Sequence, residues 1–447
     1  GLTELDRNDA DNQIRGFLDS LEDAKDFGSL LCIDALNWPL LHRFVSGIDH
    51  EGQMSMDAVG LEDTCAQLEY LLEVGELLAQ QYDVVVTNPP YMGSSNMNDK
   101  LSKFVKDNYP DAKGDLFACF IERGFQLVKP TGFNCMVTMQ SWMFLSSFEK
   151  MREKILQSKT ITTLMHMENM VMGIAFGTAV TCFRNCYIKG YRGTYNQIKL
   201  QDIEDDIPKE FPVQENRFAQ VSAENFSKIP GAPVAYWVSD KVRDLFCNDN
   251  IGSLTFSDGQ NKTGNNDRFI RNWWEVFSDK IGKNKPWVLC ARGGAYRKWY
   301  GNIEDVIDWS EIARQHYRRD HVARIVPEHI WYKSGFTWSR ITSYKASFRL
   351  QLDSMLFEMT GLTLFANDSE NLPYMLGLMN SKVAEYLLSI ITQVMTIQLR
   401  DVQAVPVIMD KRNYSVCSAY AKKSVDVSKS DWDSFETSWD FKRHPLV

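Results

Sequence analysis

A short apolar run, Tyr82 to Thr87, feeds directly into Asn88-Pro89-Pro90-Tyr91, and no other stretch constrains the fold of this chain as tightly. Val84, Val85 and Val86 are β-branched and read as a strand, which the paired prolines stop at once. In an α/β sheet the ligand crevice lies outside the carboxyl ends of the strands, so the loop falls where a substrate would sit. The prolines fix φ at two successive positions and hold the loop in one geometry. Asn88 offers a side-chain acceptor, the Pro89 carbonyl a second, and Tyr91 a ring that can stack on a flat π system. Such a set suits a planar substrate carrying an –NH2 group. Both amine hydrogens are held, and the nitrogen lone pair is left to attack an electrophile, which is what amino-group methylation from S-adenosylmethionine requires. A Pro-Pro pair alone marks only a strand end and a turn. The full tetrapeptide in this context carries more.

The segments that follow alternate. Leu101 to Asn108 and Asp115 to Val128 have helical spacing, the second stopped by Pro130 and Gly132. Phe133 to Met139 reads as a strand, Phe148 to Leu156 as a helix, and Ile161 to Met167 and Thr178 to Tyr187 as two further strands. This order predicts an α/β fold: the C-terminal half of a Rossmann-like sheet, ending in an antiparallel pair. The glycines upstream of residue 82 are scattered and form no G-x-G turn. Glu62 to Gln80 reads as a helix through Leu68, Leu71, Leu72 and Leu78.

The expected layout is an acidic, partly helical segment over 1–80, a partial catalytic core over 81–200, and a linker over 201–229 containing the acidic run Asp202 to Asp206. A mixed, β-rich domain with helices follows over 230–410, then a C-terminal extension over 411–447. Within it, Leu372 to Met395 reads as one amphipathic helix and Val402 to Met409 as a strand. No segment reads as transmembrane or as a signal peptide. Nine cysteines and seven histidines give no zinc spacing; Cys182 and Cys186 lack a second pair, and Cys119 and Cys135 sit in apolar surroundings. A reducing, cytoplasmic setting without structural metal is expected.

The net charge of −9 speaks against a nucleic-acid partner until its distribution is considered. Residues 1–80 hold 17 Asp plus Glu against four Lys plus Arg, a local net of −13, so the remainder carries +4. Ile312 to Arg349 alone holds eight Lys or Arg against two acids, interleaved with Tyr317, Trp331, Tyr332, Phe336, Trp338, Tyr344 and Phe348. Basic side chains beside aromatic platforms suit nucleic acid; a solvated charged face over an aromatic core has the same pattern.

Three stretches, Y-D-V-V-V-T-N-P-P-Y-M-G-S-S-N-M (82–97), D-L-F-A-C-F-I-E-R-G (115–124) and M-V-T-M-Q-S-W-M-F-L-S-S-F-E-K (136–150), together resemble the γ-type amino-group DNA methyltransferases. With G-G-A-Y-R-K-W-Y-G-N (293–302), G-F-T-W-S-R-I-T (335–342) and M-L-G-L-M-N-S-K-V (375–383), nearly the whole chain is similar to the PglX family of BREX phage-defence systems. The resemblance implies methylation of adenine N6 in double-stranded DNA with S-adenosylmethionine as cofactor, the base being flipped out of the duplex. It implies that Asn88 and the Pro89 carbonyl, with Pro90 fixing the loop, hold the amine, and that Tyr91 stacks on the base; Phe176 is the nearest candidate to cover the other face, although a buried core phenylalanine suits that position equally. Asp115, Leu116 and Phe117 match a segment near the cofactor pocket, although Asp115 equally suits a helix cap. Arg292, Arg297, Lys298, Trp299, Arg340 and Lys345 are the DNA-contact candidates; Gly293-Gly294 also suits a plain hairpin turn. The family's aromatic-x-Gly-x-Gly cofactor turn has no counterpart in residues 1–447, so the chain is expected to be a central fragment that binds S-adenosylmethionine poorly alone. Its partners would then include the missing N-terminal part or other BREX proteins. The competing readings are a DNA-binding piece without catalysis of its own, and an amino-group methyltransferase acting on protein glutamine or RNA. No nuclease signature is present in the sequence.

Overall fold

Six strands of the first unit form one mixed sheet in the order β1-β2-β4-β3-β5-β8. They are β1 (Tyr82–Thr87), β2 (Val128–Met139), β3 (Thr160–Met167), β4 (Thr178–Arg184), β5 (Arg192–Ile198) and β8 (Phe218–Ser222), with β6 (Ile203–Glu204) and β7 (Ile207–Pro208) as a separate small hairpin. This is a computed structural model; it describes residues 2–52, 58–205, 207–214, 218–342, 345–392, 396–410, 412–444 and 446. The chain divides into two units, Gly1–Ser227 with Gly231–Trp237, and Lys228–Pro230 with Val238–Val447.

In the first unit β1 runs parallel to β2, and β4 lies antiparallel between β2 and β3. The expected antiparallel pair is therefore β3 and β4, with β4 ending at Arg184 rather than Tyr187. α5 (Asp99–Asn108) begins at Asn98, whose side chain accepts from Leu101 N at 2.8 Å, and it buries Leu101 and Val105. α6 (Leu116–Leu127) presses Phe117, Ala118, Cys119 and Ile121 against the sheet, where Phe183 and Trp142 are also fully buried. Phe117, Ile121 and Phe183 each contribute roughly 1.5–3 kcal/mol by leaving water. α7 (Glu149–Ser158) supplies Met151 and Ile155 to the same core.

The acidic segment folds as helices: α1 (Glu4–Ser20), α2 (Ala24–Phe27), α3 (Trp38–Gly52) and α4 (Ala58–Ala79). Their core gathers Phe17, Leu40, Leu41, Val45 and Leu72, with Leu68, Leu71 and Leu78 packed against it, so the leucine spacing served burial while the acids stayed outside. The stretch expected to be a linker, 201–229, instead carries the β6–β7 hairpin and β8, which pairs antiparallel with β5 through Arg192↔Ser222 to Asn196↔Phe218. Polar composition misled there because β8 is a sheet edge with one wet face. Asp206, in the acidic run, lies outside the described residues.

The second unit contains two four-stranded sheets, β10-β12-β11-β15 and β14-β13-β16-β9. Their strands are β9 (Thr255–Phe256), β10 (Ile270–Asn272), β11 (Trp287–Ala291), β12 (Asp305–Asp308), β13 (Gly335–Ser339), β14 (Phe348–Gln351), β15 (Leu356–Phe357) and β16 (Gly361–Ala366). Short helices α8 (Asp240–Leu245), α9 (Ile251–Leu254), α10 (Asn266–Phe269) and α11 (Glu311–Arg319) connect them. The apolar run from Leu372 is two helices, α12 (Leu372–Met379) and α13 (Lys382–Ile391), not one. Asn380 leaves the helix to exchange hydrogen bonds with the Phe348 backbone at 2.9 and 3.1 Å, and Ser381 caps the next helix. Met395, the end of that expected helix, lies outside the described residues. Val402 to Met409 is not a strand: α14 (Leu399–Gln403) takes its start, and only Pro406 bridges to Asn250. Val402, Val405 and Val407 are buried without a ladder, and Pro406 has no N–H to extend one. α15 (Tyr414–Trp432) completes the unit. No described helix is long and apolar enough to cross a membrane.

Candidate active site at the carboxyl end of the first strand

Parallel pairing of β1 with β2 brings Thr87 opposite Met136, so the Asn88–Tyr91 loop leaves the sheet beside Val137. The Tyr91 hydroxyl donates to Asn88 Oδ1 at 2.9 Å and to the Val137 carbonyl at 3.1 Å. Partial burial raises the Tyr91 pKa, which keeps the hydroxyl a donor. Pro89 is buried, whereas Asn88 and Pro90 are exposed. The bond from Tyr91 orients the Asn88 amide, and its oxygen keeps a second lone pair for an incoming N–H.

Asp115 holds this loop from below. Its Oδ1 accepts from Met92 N at 2.9 Å and from Phe117 N at 3.4 Å, while Leu116 N donates back to the Met92 carbonyl at 3.1 Å. The side chain caps α6 and locks the residue after Tyr91 in one stroke. Burial raises its pKa, opposed by these three backbone N–H groups. Leu116 and Phe117 are buried, so the pair presents packing surface and no side-chain hydrogen-bonding group.

Tyr91 sits in an aromatic corner. Its ring meets Phe117 edge-on at 6.1 Å and Phe176 at 5.6 Å and 77°. Phe176, half-buried, is thus brought to Tyr91 as expected of a base-covering pair, but the two rings touch. A base slotted between the two rings requires the Phe176 side chain to turn aside.

The candidates in the second unit are placed unevenly. Arg292 pairs with Asp305 at 3.3 Å and Glu358 at 3.6 Å. Arg297 pairs with Asp431, lies 4.9 Å over the Trp432 ring, and donates to the Tyr300 carbonyl at 3.1 Å. Lys298 donates to the Asn380 carbonyl at 2.7 Å, and Lys345 pairs with Glu385 at 2.7 Å. Trp299 is half-buried, with φ 73°, and bridges to Arg349, its N–H donating to the Phe348 carbonyl. Arg340 is half-buried, and its guanidinium has no partner among the described residues. The basic, aromatic stretch sorts by face: Tyr317, Phe336, Trp338 and Phe348 are core, and Arg349 is buried with them. Tyr344 lies outside the described residues.

The sequence-family profile described as Eco57I restriction-modification methylase matches residues 37–171, the segment that builds this loop. The chain is 33% identical over 95% of its length to the adenine-specific methyltransferase BrxX of Escherichia coli O9:H4 (strain HS), covering 35% of that protein. It is equally 33% identical, again over 95% of its length, to the adenine-specific methyltransferase PglX of Lacticaseibacillus casei (strain Zhang), covering 37% of it. The chain is similar to these methyltransferases over nearly all of its own length. It spans about a third of their length. Among solved structures, the type IIL restriction-modification enzyme MmeI in complex with DNA matches 96% of this chain and 70% of its own with a TM-score of 0.52 at 10% identity, a likeness of fold.

What sequence reading missed in this chain is the support behind Phe176. Gln140 donates its backbone N–H to the Gly177 carbonyl at 2.9 Å, and its side chain binds His166 and Asn169. Gln140 lay inside a quoted motif and His166 in a correctly placed strand, but no spacing rule joins the end of β2 to β3, with β4 between them. Cys119 is buried and Cys135 half-buried, their pKa values each pushed up to about 12, by burial foremost. Among the described residues no three His, Cys, Asp or Glu side chains gather to hold a metal.

Proposed function

We propose that this chain forms the base-binding side of a DNA adenine-N6 methyltransferase that marks host DNA in phage defence. The observation that carries the reading is the Asn88–Tyr91 loop, with its amide oxygen oriented by Tyr91 and an aromatic partner, Phe176, in reach. Its support is the 33% identity with two adenine-specific methyltransferases over 95% of the chain. Adenine presents a flat ring and one exocyclic amine. Asn88 Oδ1 and the Pro89 carbonyl each accept one N–H, and Tyr91 covers the ring. Holding both hydrogens out of the ring plane draws the nitrogen lone pair out of conjugation and directs it at the electrophile. S-adenosylmethionine would supply the methyl group and leave as S-adenosylhomocysteine, and the methylated nitrogen would lose one of its two protons to solvent. The second unit, with Arg340 among its cations, reads the duplex, a role that the DNA-bound fold neighbour MmeI supports by analogy. Single-molecule sequencing of cells carrying Asn88→Ala tests the assignment: methyladenine disappears if it is right, and its persistence rejects it.

A second reading keeps the base pocket and removes independent catalysis. It is supported by β1, whose Val84 and Val86 are 51% and 73% exposed although it pairs in parallel with β2. Parallel strands are ordinarily covered on both faces. We infer that further strands and helices, supplied from outside residues 1–447, complete the methyl-donor side against this edge. Gel shift of the chain with and without S-adenosylmethionine separates the readings, because a binding piece alone gives the same shift in both.

A further inference from the structure

The loop between β3 and β4 carries Phe176 and turns through Met170 and Gly173, both at φ 69°. Its far end is clamped at Gly177. There the carbonyl accepts from Gln140 N at 2.9 Å, and the α-carbon lies so close that an added Cβ would meet the Gln140 amide at 2.3–2.5 Å. No other side chain presses on that glycine as closely among the described neighbours. The Gln140 amide is itself oriented. Its Oε1 faces His166 Nε2, its Nε2 donates to Asn169 Oδ1 at 3.3 Å, and His166 Nδ1 lies 3.2 Å from the Tyr236 hydroxyl.

One assignment of protons satisfies the row. Gln140 Oε1 only accepts, so His166 Nε2 carries the proton, and Nδ1 accepts from Tyr236. His166 is 2% exposed, with Phe144, Trp237 and Tyr236 rings about it, and burial lowers its pKa to about 4, which keeps the imidazole neutral as this assignment needs. Asn169 and Gly177 lie on either side of the turn, so a single glutamine grips both ends of the segment bearing Phe176.

We propose that Gln140, held in one orientation by His166 and Tyr236, is the positioning residue of the Phe176 loop, setting that ring against the base that enters over Tyr91. The inference rests on the adenine reading for its consequence and on the hydrogen-bond row for its mechanism. Gln140 touches neither base nor cofactor. It acts through the loop.

Hydrogen exchange of the full chain reads the mechanism directly. Gln140→Ala speeds exchange over residues 168–177 at least tenfold and leaves β2 and β4 protected. Gly177→Ala, which drives the amide from its seat, does the same, and the double variant is no worse than either single one. Unchanged loop exchange in Gln140→Ala, or additive effects in the pair, overturns the proposal. Should Gln140→Ala melt as a whole, Gln140→Met, of similar volume and without either side-chain bond, carries the same readout. In the methyltransferase as it occurs in cells, Gln140→Met lowers kcat about tenfold while DNA affinity stays within twofold; equal loss in both rejects a positioning role. Absence of methylation by the wild-type protein would instead reject the adenine reading, and the exchange result would still stand.

Discussion

Tyr91 hydroxyl and Asn88 Oδ1 are 2.9 Å apart, and the same hydroxyl reaches the Val137 carbonyl on the neighbouring strand. The Asn88–Tyr91 loop is thereby tied to the sheet through Tyr91, the residue proposed to stack on the base. Removing the hydroxyl and removing the amide have different consequences. Tyr91→Phe keeps the ring and loses about 1 kcal/mol of hydrogen bonding, so methylation falls about tenfold or less. Asn88→Ala removes the proposed acceptor of the reacting amine and is expected to lower kcat by about 10²–10³. Single-turnover assays on the two variants check the order, and equal losses would contradict it.

Asp115 is a cap and a lock. Asp115→Ala leaves Met92 N and Phe117 N without their side-chain acceptor and costs about 1–2 kcal/mol in denaturant unfolding. Asp115→Asn keeps an acceptor. Because burial raises the Asp115 pKa in the folded state, its ionisation costs stability as pH rises through that value. The Asn variant therefore stays near wild-type stability at neutral pH. A larger loss for Asn than for Ala would show that the charge, not the acceptor, holds the loop.

His166 makes the first unit acid-sensitive. Its folded pKa, about 4, lies below the ordinary 6.5, so the unfolded chain binds the extra proton between these values. Stability from this group is complete above pH 6.5 and is lost as pH falls toward 4, on the order of 3 kcal/mol in all. His166→Gln flattens that part of the stability profile. Chemical denaturation at stepped pH measures it, and an unchanged slope in the variant refutes the assignment.

The open face of β1 bears on the cofactor. Val86 is 73% exposed, so Val86→Thr shifts unfolding of the chain by less than about 0.5 kcal/mol. Calorimetric titration of the chain with S-adenosylmethionine is expected to show no binding tighter than roughly 0.1 mM, or about 5.5 kcal/mol. A micromolar Kd would mean that the donor pocket is complete without further strands.

In the second unit, the paired and unpaired cations predict opposite phenotypes. Arg297→Ala breaks the contacts with Asp431 and Trp432 and destabilises the unit. Arg340→Ala leaves stability alone and reduces the salt dependence of DNA binding by about one phosphate contact. Melting curves beside salt-titrated gel shifts compare the two, and a melting loss in Arg340→Ala would reassign that side chain to the scaffold.

The sequence by itself determined the strand-loop of β1, the alternation through β4 and the cap at Asp115. Each is written in spacing over a few residues: β-branched runs, a proline stop, an Asp before an apolar helix. Tertiary structure alone decided what is held by residues distant in sequence. The sheet order placed Gln140 beside Gly177 and His166, and β8 joined an edge that composition had marked as a linker. Burial likewise divided the basic and aromatic stretch, turning Phe336, Trp338 and Arg349 inward and leaving Arg340 half-exposed. Residue type fixes what a side chain can bond. Which partner is close enough to bond depends on strands that meet only when the sheet closes.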